Sequence, residues 1–493
     1  MTYTYKKPTL LQAFIPIIFL IIALFINVRI FGDASLDGSN QIILMLSAGV
    51  ASLVALRLGI KWKEIREGIV DSISSAMSSM IILLLIGTLA GTWLLSGIVP
   101  AMIYYGLQIL NPTIFLFAAC VVCAIVSVAT GSSWTTSATV GIALVGIGKA
   151  LGLPLGMVAG AIISGAYFGD KLSPLSDTTN LAPAMAGTDL FTHIRYMLYT
   201  TVPSISISLL LFLILGFMYS GNAEITDTQV ILDAIDSKYN INLFLFIVPV
   251  IMVILITKKM PAIPAITIGG LLGAIFAFIF QPELVREIGI NTIRDFDHEI
   301  EITKFTTGFV GIIRSMYGDI SIVTGNAIVD ELFTSGGMYG MLKTVWLILS
   351  AMIFGGVLEK SGMLKRIAEG VISGINSAGA LVATTAGTCV FFNVTASDQY
   401  LAIVVPGRMY ADIYKDKGLA PENLSRTLED SGTVTSALIP WNTCGAFHSN
   451  VLGVSTFAYF PFAFFNLISP FMTVIFAVFK IKFRMLKDAK SKE

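Results

Sequence analysis

Apolar runs alternate with short polar connections along nearly the whole chain, and several approach the roughly 20 residues a helix needs to cross the hydrocarbon core. They cover residues 10–31, 41–58, 69–95, 113–129, 196–219, 243–257, 263–280, 341–358 and 454–479, the last interrupted by Pro461 and Pro470. The pattern predicts an all-α polytopic membrane protein, one integral domain over residues 1–493.

Two regions break this rhythm. Between 130 and 180 the apolar pieces 140–147 and 154–163 alternate with Ser/Thr/Gly clusters and are too short to span alone, which predicts hairpins and half-helices. Residues 165–189, GAYFGDKLSPLSDTTNLAPAMAGTD, gather Asp170, Lys171, Ser173, Ser176, Asp177, Thr178, Thr179 and Asn180 around Pro174. Pro174 removes a backbone donor and disfavours helix at Ser173, so the helix should break there. Broken backbone is tolerated at membrane depth only where it is buried in protein or lines a wet cavity.

The second region is 384–443. TTAGTCVFFNVTASD (384–398) reads as irregular, 401–406 as a short apolar piece, 408–426 as a charged loop and LEDSGTVTSALIPWNT (428–443) as a broken helix. Gly131-Ser132-Ser133 lines up with Gly387-Thr388-Cys389 at a shift of 256, and Asp170, Ser173 and Ser176 with Asp430, Thr433 and Ser436 at a shift of 260. The common order predicts two homologous halves, about 69–219 and 338–480, each with a hydroxyl-rich hairpin and a broken helix. Residues 281–304 read as a solvated loop, and 306–337 mix charged and apolar residues without a definite element.

Composition agrees with a membrane domain: 55% hydrophobic, 13% charged, mean hydropathy +0.83. Thirty-one basic residues balance 31 acidic ones, so nothing suggests nucleic acid. Their placement is asymmetric. Lys6, Lys7, Arg57, Lys61, Lys63, Arg66, Lys258, Lys259 and the Lys/Arg-rich tail alternate with acidic loops carrying Asp33, Asp37, Glu224, Asp227, Asp233 and Asp236. The positive-inside rule then places both termini in the cytoplasm of a multi-pass cell-membrane protein. No cleavable signal peptide is evident, and residues 14–26 read as part of an uncleaved first span. Cys120 and Cys123 form a C-x-x-C inside a span, with no βαβ context or second pair, and read as core thiols.

A cavity lined by Asp, Ser, Thr, Asn and backbone carbonyls offers hard oxygen donors suited to alkali cations, whereas soft metals want thiolates and imidazoles. A lone carboxylate at the bilayer centre costs roughly 2.5–3.5 kcal/mol on insertion scales, so it should hold either a proton or a cation. One site with two exclusive occupants, exposed alternately to each side, is the chemistry of an antiporter. The expected carboxylates are Asp170 and Asp177 in the first half and Asp398 and Asp430 in the second. Ser132, Ser133, Thr135, Ser173, Ser176, Thr178, Asn180, Asn393, Thr433 and Ser436 are the expected polar ligands, with sodium held at Asp170, Asp177, Ser173 and Thr178. Plainer roles compete: Asp177 capping a half-helix that begins at Thr178, Lys171 neutralising Asp170, and hydroxyls bonding back to the preceding turn. Asp189, His193 and Arg195 read as a cytoplasmic edge, His298 as solvated, and His448 as a neighbour of the second break.

There is no G-x-S-x-G elbow, H-E-x-x-H, Walker loop or adjacent acid/base pair. Neither an enzyme nor an ATP-driven pump is expected, and no cofactor beyond transported sodium and protons.

Residues 165–203, from GAYFGDKLSPLSDTTN to YTTVP, closely resemble the NhaC family of sodium/proton antiporters, and SSWTTSATVGIAL (132–144) is similar too. The resemblance implies the ion transporter superfamily: inverted repeats, two re-entrant hairpins, a scaffold and a moving transport domain, often in a homodimer working as an elevator. The same family includes malate/lactate exchangers coupled to sodium and protons. A carboxylate substrate would want an Arg or half-helix N-termini near the site, and no Arg occurs between Thr130 and Asn180. Sodium/proton exchange is therefore the leading reading. Malate/lactate exchange is the alternative, and a passive cation channel is the alternative of another class.

Overall fold

The computed structural model describes residues 6–31, 35, 37–109, 111–219, 228–258, 260–296, 301–372 and 377–486. Asp33, Glu224, Asp227, Lys259, His298 and the lysines beyond residue 486 lie outside them. The long apolar runs fold as helices Leu10–Phe31, Ser39–Arg57, Trp62–Leu95, Pro112–Thr130, Leu190–Tyr219, Ala262–Phe280 and Gly337–Lys360. With Ala378–Thr395 they make eight helices long and apolar enough to cross a membrane among the described residues. Two bent pairs raise the count to ten if each is one span: Gln229–Lys238 with Leu243–Leu255 at 87°, and Thr456–Phe462 with Phe464–Val478 at 54°. Large side chains such as Phe25, Leu53, Ile125 and Phe217 stand exposed on these helices. Apolar surface on that scale belongs against lipid. The chain is an all-α polytopic membrane protein.

Several expectations need correction. Residues 281–304 are not simply a solvated loop: Pro282–Arg294 is an amphipathic helix that buries Leu284, Val285, Ile288 and Ile293 and packs on Lys304–Tyr317. Its apolar positions recur at helical spacing beneath the charged Arg286 and Arg294. Residues 306–337 hold the rest of Lys304–Tyr317, the short helix Ala327–Leu332 and a two-residue antiparallel pair, Ile320–Ser321 with Thr334–Ser335. The stretch read as irregular at 384–398 is regular helix through Thr395, and 408–426 is no loop but the end of Gln399–Asp416 plus the buried helix Pro421–Leu428. Hydroxyls inside Ala378–Thr395 bond back one turn, as Thr385 Oγ1 does to the Leu381 carbonyl at 2.8 Å, so a polar sequence keeps a helical backbone.

Element boundaries recur at a fixed interval. Helix starts at Pro112, Ser133, Leu155, Asp177 and Leu190 recur 266 positions later at Ala378, Gln399, Pro421, Thr443 and Thr456. Left-handed residues recur at the same interval: Gly131 and Ser397 (φ 68 and 59), Gly152 and Gly418 (71 and 68), Gly187 and Gly453 (81 and 64). The shifts of 256 and 260 are therefore not the structural register. Gly387-Thr388-Cys389 lies inside a helix, and Ser397-Asp398 stands where Gly131-Ser132 stands. Small and hydroxylated residues are common in packed membrane helices, so matches among them recur by composition.

Packing gathers the helices into two groups. Trp62–Leu95 contacts Gly337–Lys360, Ala262–Phe280 and Lys304–Tyr317, while Leu155–Leu172 lies along Pro112–Thr130 and touches Leu190–Tyr219 and Phe464–Val478. The second group depends on close backbone approach. A Cβ at Gly165 would stand 2.1 Å from the Cys120 carbonyl oxygen. Gly165→Val should therefore cost at least the upper end of the roughly 1–3 kcal/mol that overpacking takes, seen as loss of the monodisperse peak in fluorescence-detected size-exclusion chromatography.

Candidate ion-binding cavity

Pro174 acts as expected. Leu155–Leu172 stops with Ser173 extended, and a new helix, Asp177–Ala186, begins after Ser176. The cap is Ser176, whose Oγ accepts from the Thr179 N–H at 3.4 Å; Asp177 is the first helical residue, not the cap. The hydroxyl of Thr179 closes the preceding helix end by donating to the carbonyls of Asp170 (3.2 Å) and Lys171 (3.1 Å). Asn180 Nδ2 donates to the carbonyls of Pro174 and Ser176 at 2.9 and 2.7 Å. Each side chain thus satisfies backbone groups that the break exposes.

The companion break lies at Gly131. Ser132 caps the short helix Ser133–Thr136 by accepting from the Thr135 N–H and Thr135 Oγ1, both at 3.1 Å. Ser133 donates twice to Asp170 Oδ2, from its N–H at 3.1 Å and its Oγ at 2.7 Å. A helix start therefore points its free backbone donor at a buried carboxylate, which favours negative charge.

These pieces meet at a cavity of about 660 Å³. Its polar wall carries Ser132, Ser133, Thr135, Asp170, Ser176, Asp177, Thr178 and Asn180 from the first half, and Gln399, Tyr400 and Thr443 from the second. Ser133 and Gln399, Trp134 and Tyr400, and Asp177 and Thr443 are repeat partners 266 apart, and all six line it. Another part of the lining is mostly apolar: Ile82 of Trp62–Leu95 with Met260, Pro261, Ala262, Ala265 and Ile266, relieved by Ser79. Asp170 is 7% exposed, while Asp177 is open to the cavity, with the Tyr400 hydroxyl 3.5 Å from its Oδ2.

Six expected ligands lie off this lining. Ser173 is buried, its Oγ accepting from the Leu175 N–H at 3.3 Å. Asp398 caps Gln399–Asp416, accepting from the Leu401 N–H at 3.0 Å. Asn393 donates to the Gly432 carbonyl at 2.7 Å and to Thr435 Oγ1 at 2.9 Å, tying down the second break. Ser436 donates to the Thr433 carbonyl at 2.6 Å. The Thr433 hydroxyl is buried without a hydrogen-bond partner among the described residues. Asp430 is committed elsewhere: Lys171, expected to neutralise Asp170, forms its ion pair with Asp430 instead, both side chains fully buried.

Of the residues read as an edge, Asp189 and Arg195 are exposed and His193 is not. It is buried, with Nδ1 2.8 Å from Ser425 Oγ. Gln399, Tyr400, Thr443 and the buried Glu429 were missed by sequence reasoning. The 266-residue register would have shown the first three, because it maps them onto Ser133, Trp134 and Asp177. Among the described residues no group of three or more His, Cys, Asp or Glu is placed to hold a metal, and all four cysteines are free and buried. The donor set is hydroxyl and carboxylate oxygen.

The sequence profile of the Na+/H+ antiporter family matches residues 165–481. The chain belongs to the Na+/H+ antiporter family. It is 37% identical over 427 residues to the Na(+)/H(+) antiporter NhaC of Alkalihalophilus pseudofirmus, covering 87% of each chain. It is 36% identical over 472 residues to the Malate-2H(+)/Na(+)-lactate antiporter of Bacillus subtilis, covering 96% of this chain and 95% of that one. It is also 33% identical over 492 residues to the arginine/ornithine antiporter ArcD of Halobacterium salinarum, covering 99% and 96%. Membership in the Na+/H+ antiporter family makes the protein a multi-pass membrane transporter.

Proposed function

We propose that the protein exchanges sodium for protons across the cell membrane as a secondary antiporter, with no cofactor and no catalytic reaction. The observation that carries this is the charge of the cavity: Asp170 and Asp177 line it among hydroxyls, and among the described residues no Lys or Arg does. A dicarboxylate such as malate would meet two acids and no cationic fork to bind it, so this cavity favours a cation over the anions named for the B. subtilis relative. Sodium and a proton would compete for Asp170, sodium taking its remaining ligands from Ser132, Thr135, Ser176 and Thr178.

The apolar wall supports elevator-type motion. A face that supplies almost no ligands can slide past the site without breaking coordination, so the polar wall would travel and the helices Trp62–Leu95 and Ala262–Phe280 would stay. Both termini are taken as cytoplasmic from the Lys/Arg distribution, and a homodimer as the working unit from the NhaC resemblance.

The test is a set of proteoliposomes with an imposed pH gradient, assayed side by side for sodium, lithium, potassium, malate and arginine. Uphill sodium movement driven by protons is expected, with no malate or arginine uptake. Absence of sodium-dependent proton flux at every pH would sink the proposal, and downhill-only sodium movement would mean a channel. Asp177→Asn removes an exposed charge from the cavity. It should raise the half-saturating sodium concentration about fivefold, matching the roughly 1 kcal/mol between unit charges 4 Å apart in water, with a smaller effect on maximal rate.

A further inference from the structure

Glu429 opens the π-helical turn Glu429–Thr433. Its side chain is fully buried, and neither carboxylate oxygen has a hydrogen-bond partner among the described residues. The hydroxyls of Ser431 and Thr433, on the same turn, are buried and equally unpartnered. Helix Asp177–Ala186, which carries Thr178, packs against this turn, and Leu155–Leu172, joined to the turn by the Lys171–Asp430 pair, carries Asp170 and Lys171. Of these, Lys171 is engaged by Asp430 and Asp170 by Ser133. Arg426, one turn earlier, does not neutralise it, for its guanidinium lies 4.4 Å over the Tyr196 ring.

The repeat shows that the fold does not require an acid here. The position 266 residues earlier is Ile163, buried in the regular helix Leu155–Leu172. The second half replaces an isoleucine by a carboxylate and a regular turn by a π turn, a distortion frequent at functional sites. Taking a carboxylate out of water costs several kcal/mol unless a partner repays it, so Glu429 must carry a proton or a cation.

We infer that Glu429, with the Thr433 and Thr178 hydroxyls, forms a second site for a proton or a monovalent cation, behind the cavity and reached through Thr178. Thr178 lines the cavity, and its helix, Asp177–Ala186, packs against the Glu429–Thr433 turn, which makes that helix the link between the two acids. The inference deepens the sodium/proton reading and rests on it.

Sodium-minus-choline infrared difference spectra of the purified full chain in detergent test it directly. Adding sodium should remove a protonated-carboxyl C=O band; Glu429→Gln should lose that component, and Glu429→Asp should shift it. Thr433→Val, which leaves the acid in place, should shift it as well and covers the case in which Glu429→Gln does not fold. A sodium-induced spectrum unchanged in Glu429→Gln, or in both Glu429→Asp and Thr433→Val, overturns the site, as does a wild-type protein with no sodium-sensitive carboxyl band. Vesicle flux on the same preparation judges the exchange reading separately: a wild type that shows the band but no exchange refutes that reading and leaves the site standing.

Discussion

Asp170→Asn should cut sodium/proton exchange about a hundredfold, equivalent to roughly 2.7 kcal/mol, while leaving the protein folded. The side chain sits where the first break meets the second helix start, and one oxygen receives both donors of Ser133. Asparagine keeps the size and can present its carbonyl oxygen to those donors, so local geometry should survive. It cannot carry a negative charge or release a proton, so the sodium ion and the proton proposed to compete there would both lose their reason to bind. The measurement is sodium-dependent proton flux in proteoliposomes across a range of pH, with size-exclusion chromatography as the folding control. Ser133→Ala should give a smaller loss, because it removes one of two donors and leaves the carboxylate. An Asp170→Asn protein with normal exchange would move the competition to another acid, and Glu429 would be the first to examine.

Much of the architecture was legible because hydropathy is imposed by the bilayer: runs such as 10–31 and 113–129 fall on helices within a residue of their ends. Pro174 was legible for a different reason, since proline constrains the backbone whatever surrounds it. The second half was harder to read. Its break at Ser397 uses a non-glycine residue at φ 59, so no Gly announces it, whereas Gly387 announces a break that does not exist. The site was half legible. Ser132, Ser133, Thr135, Asp170, Ser176, Asp177, Thr178 and Asn180 meet at the cavity, but composition alone cannot separate a hydroxyl facing a cavity from one bonded to its own helix. Ser173 and Asn393 do neither, bonding instead to the Leu175 N–H and the Gly432 carbonyl at the two breaks. Asp430 and Glu429 are adjacent in sequence, and only packing tells which is paired: Asp430 has Lys171, Thr200 and Ser469 as partners, and the Glu429 carboxylate has no hydrogen-bond partner among the described residues.

That pairing carries the second large effect. Lys171 lies at the end of Leu155–Leu172 and Asp430 in the turn Glu429–Thr433, and neither side chain is exposed. Asp430 Oδ2 accepts from Thr200 Oγ1 at 2.9 Å and Oδ1 from Ser469 Oγ at 3.1 Å, while Lys171 also donates to Ser469 at 3.2 Å. Breaking a buried pair by removing one partner leaves an uncompensated charge and costs about 3–5 kcal/mol. Lys171→Met and Asp430→Leu should each lower the thermal unfolding midpoint of the detergent-solubilised protein sharply. The double variant Lys171→Met/Asp430→Leu should recover most of that loss, since apolar residues of similar volume often replace such pairs without penalty, and the double-mutant cycle should therefore show strong coupling. Because Asp430 is bound to a lysine away from the cavity, the double variant should also retain exchange within a few-fold of wild type. Recovery of stability without recovery of flux would instead assign the pair a part in transport, as a lock that opens when the two halves move.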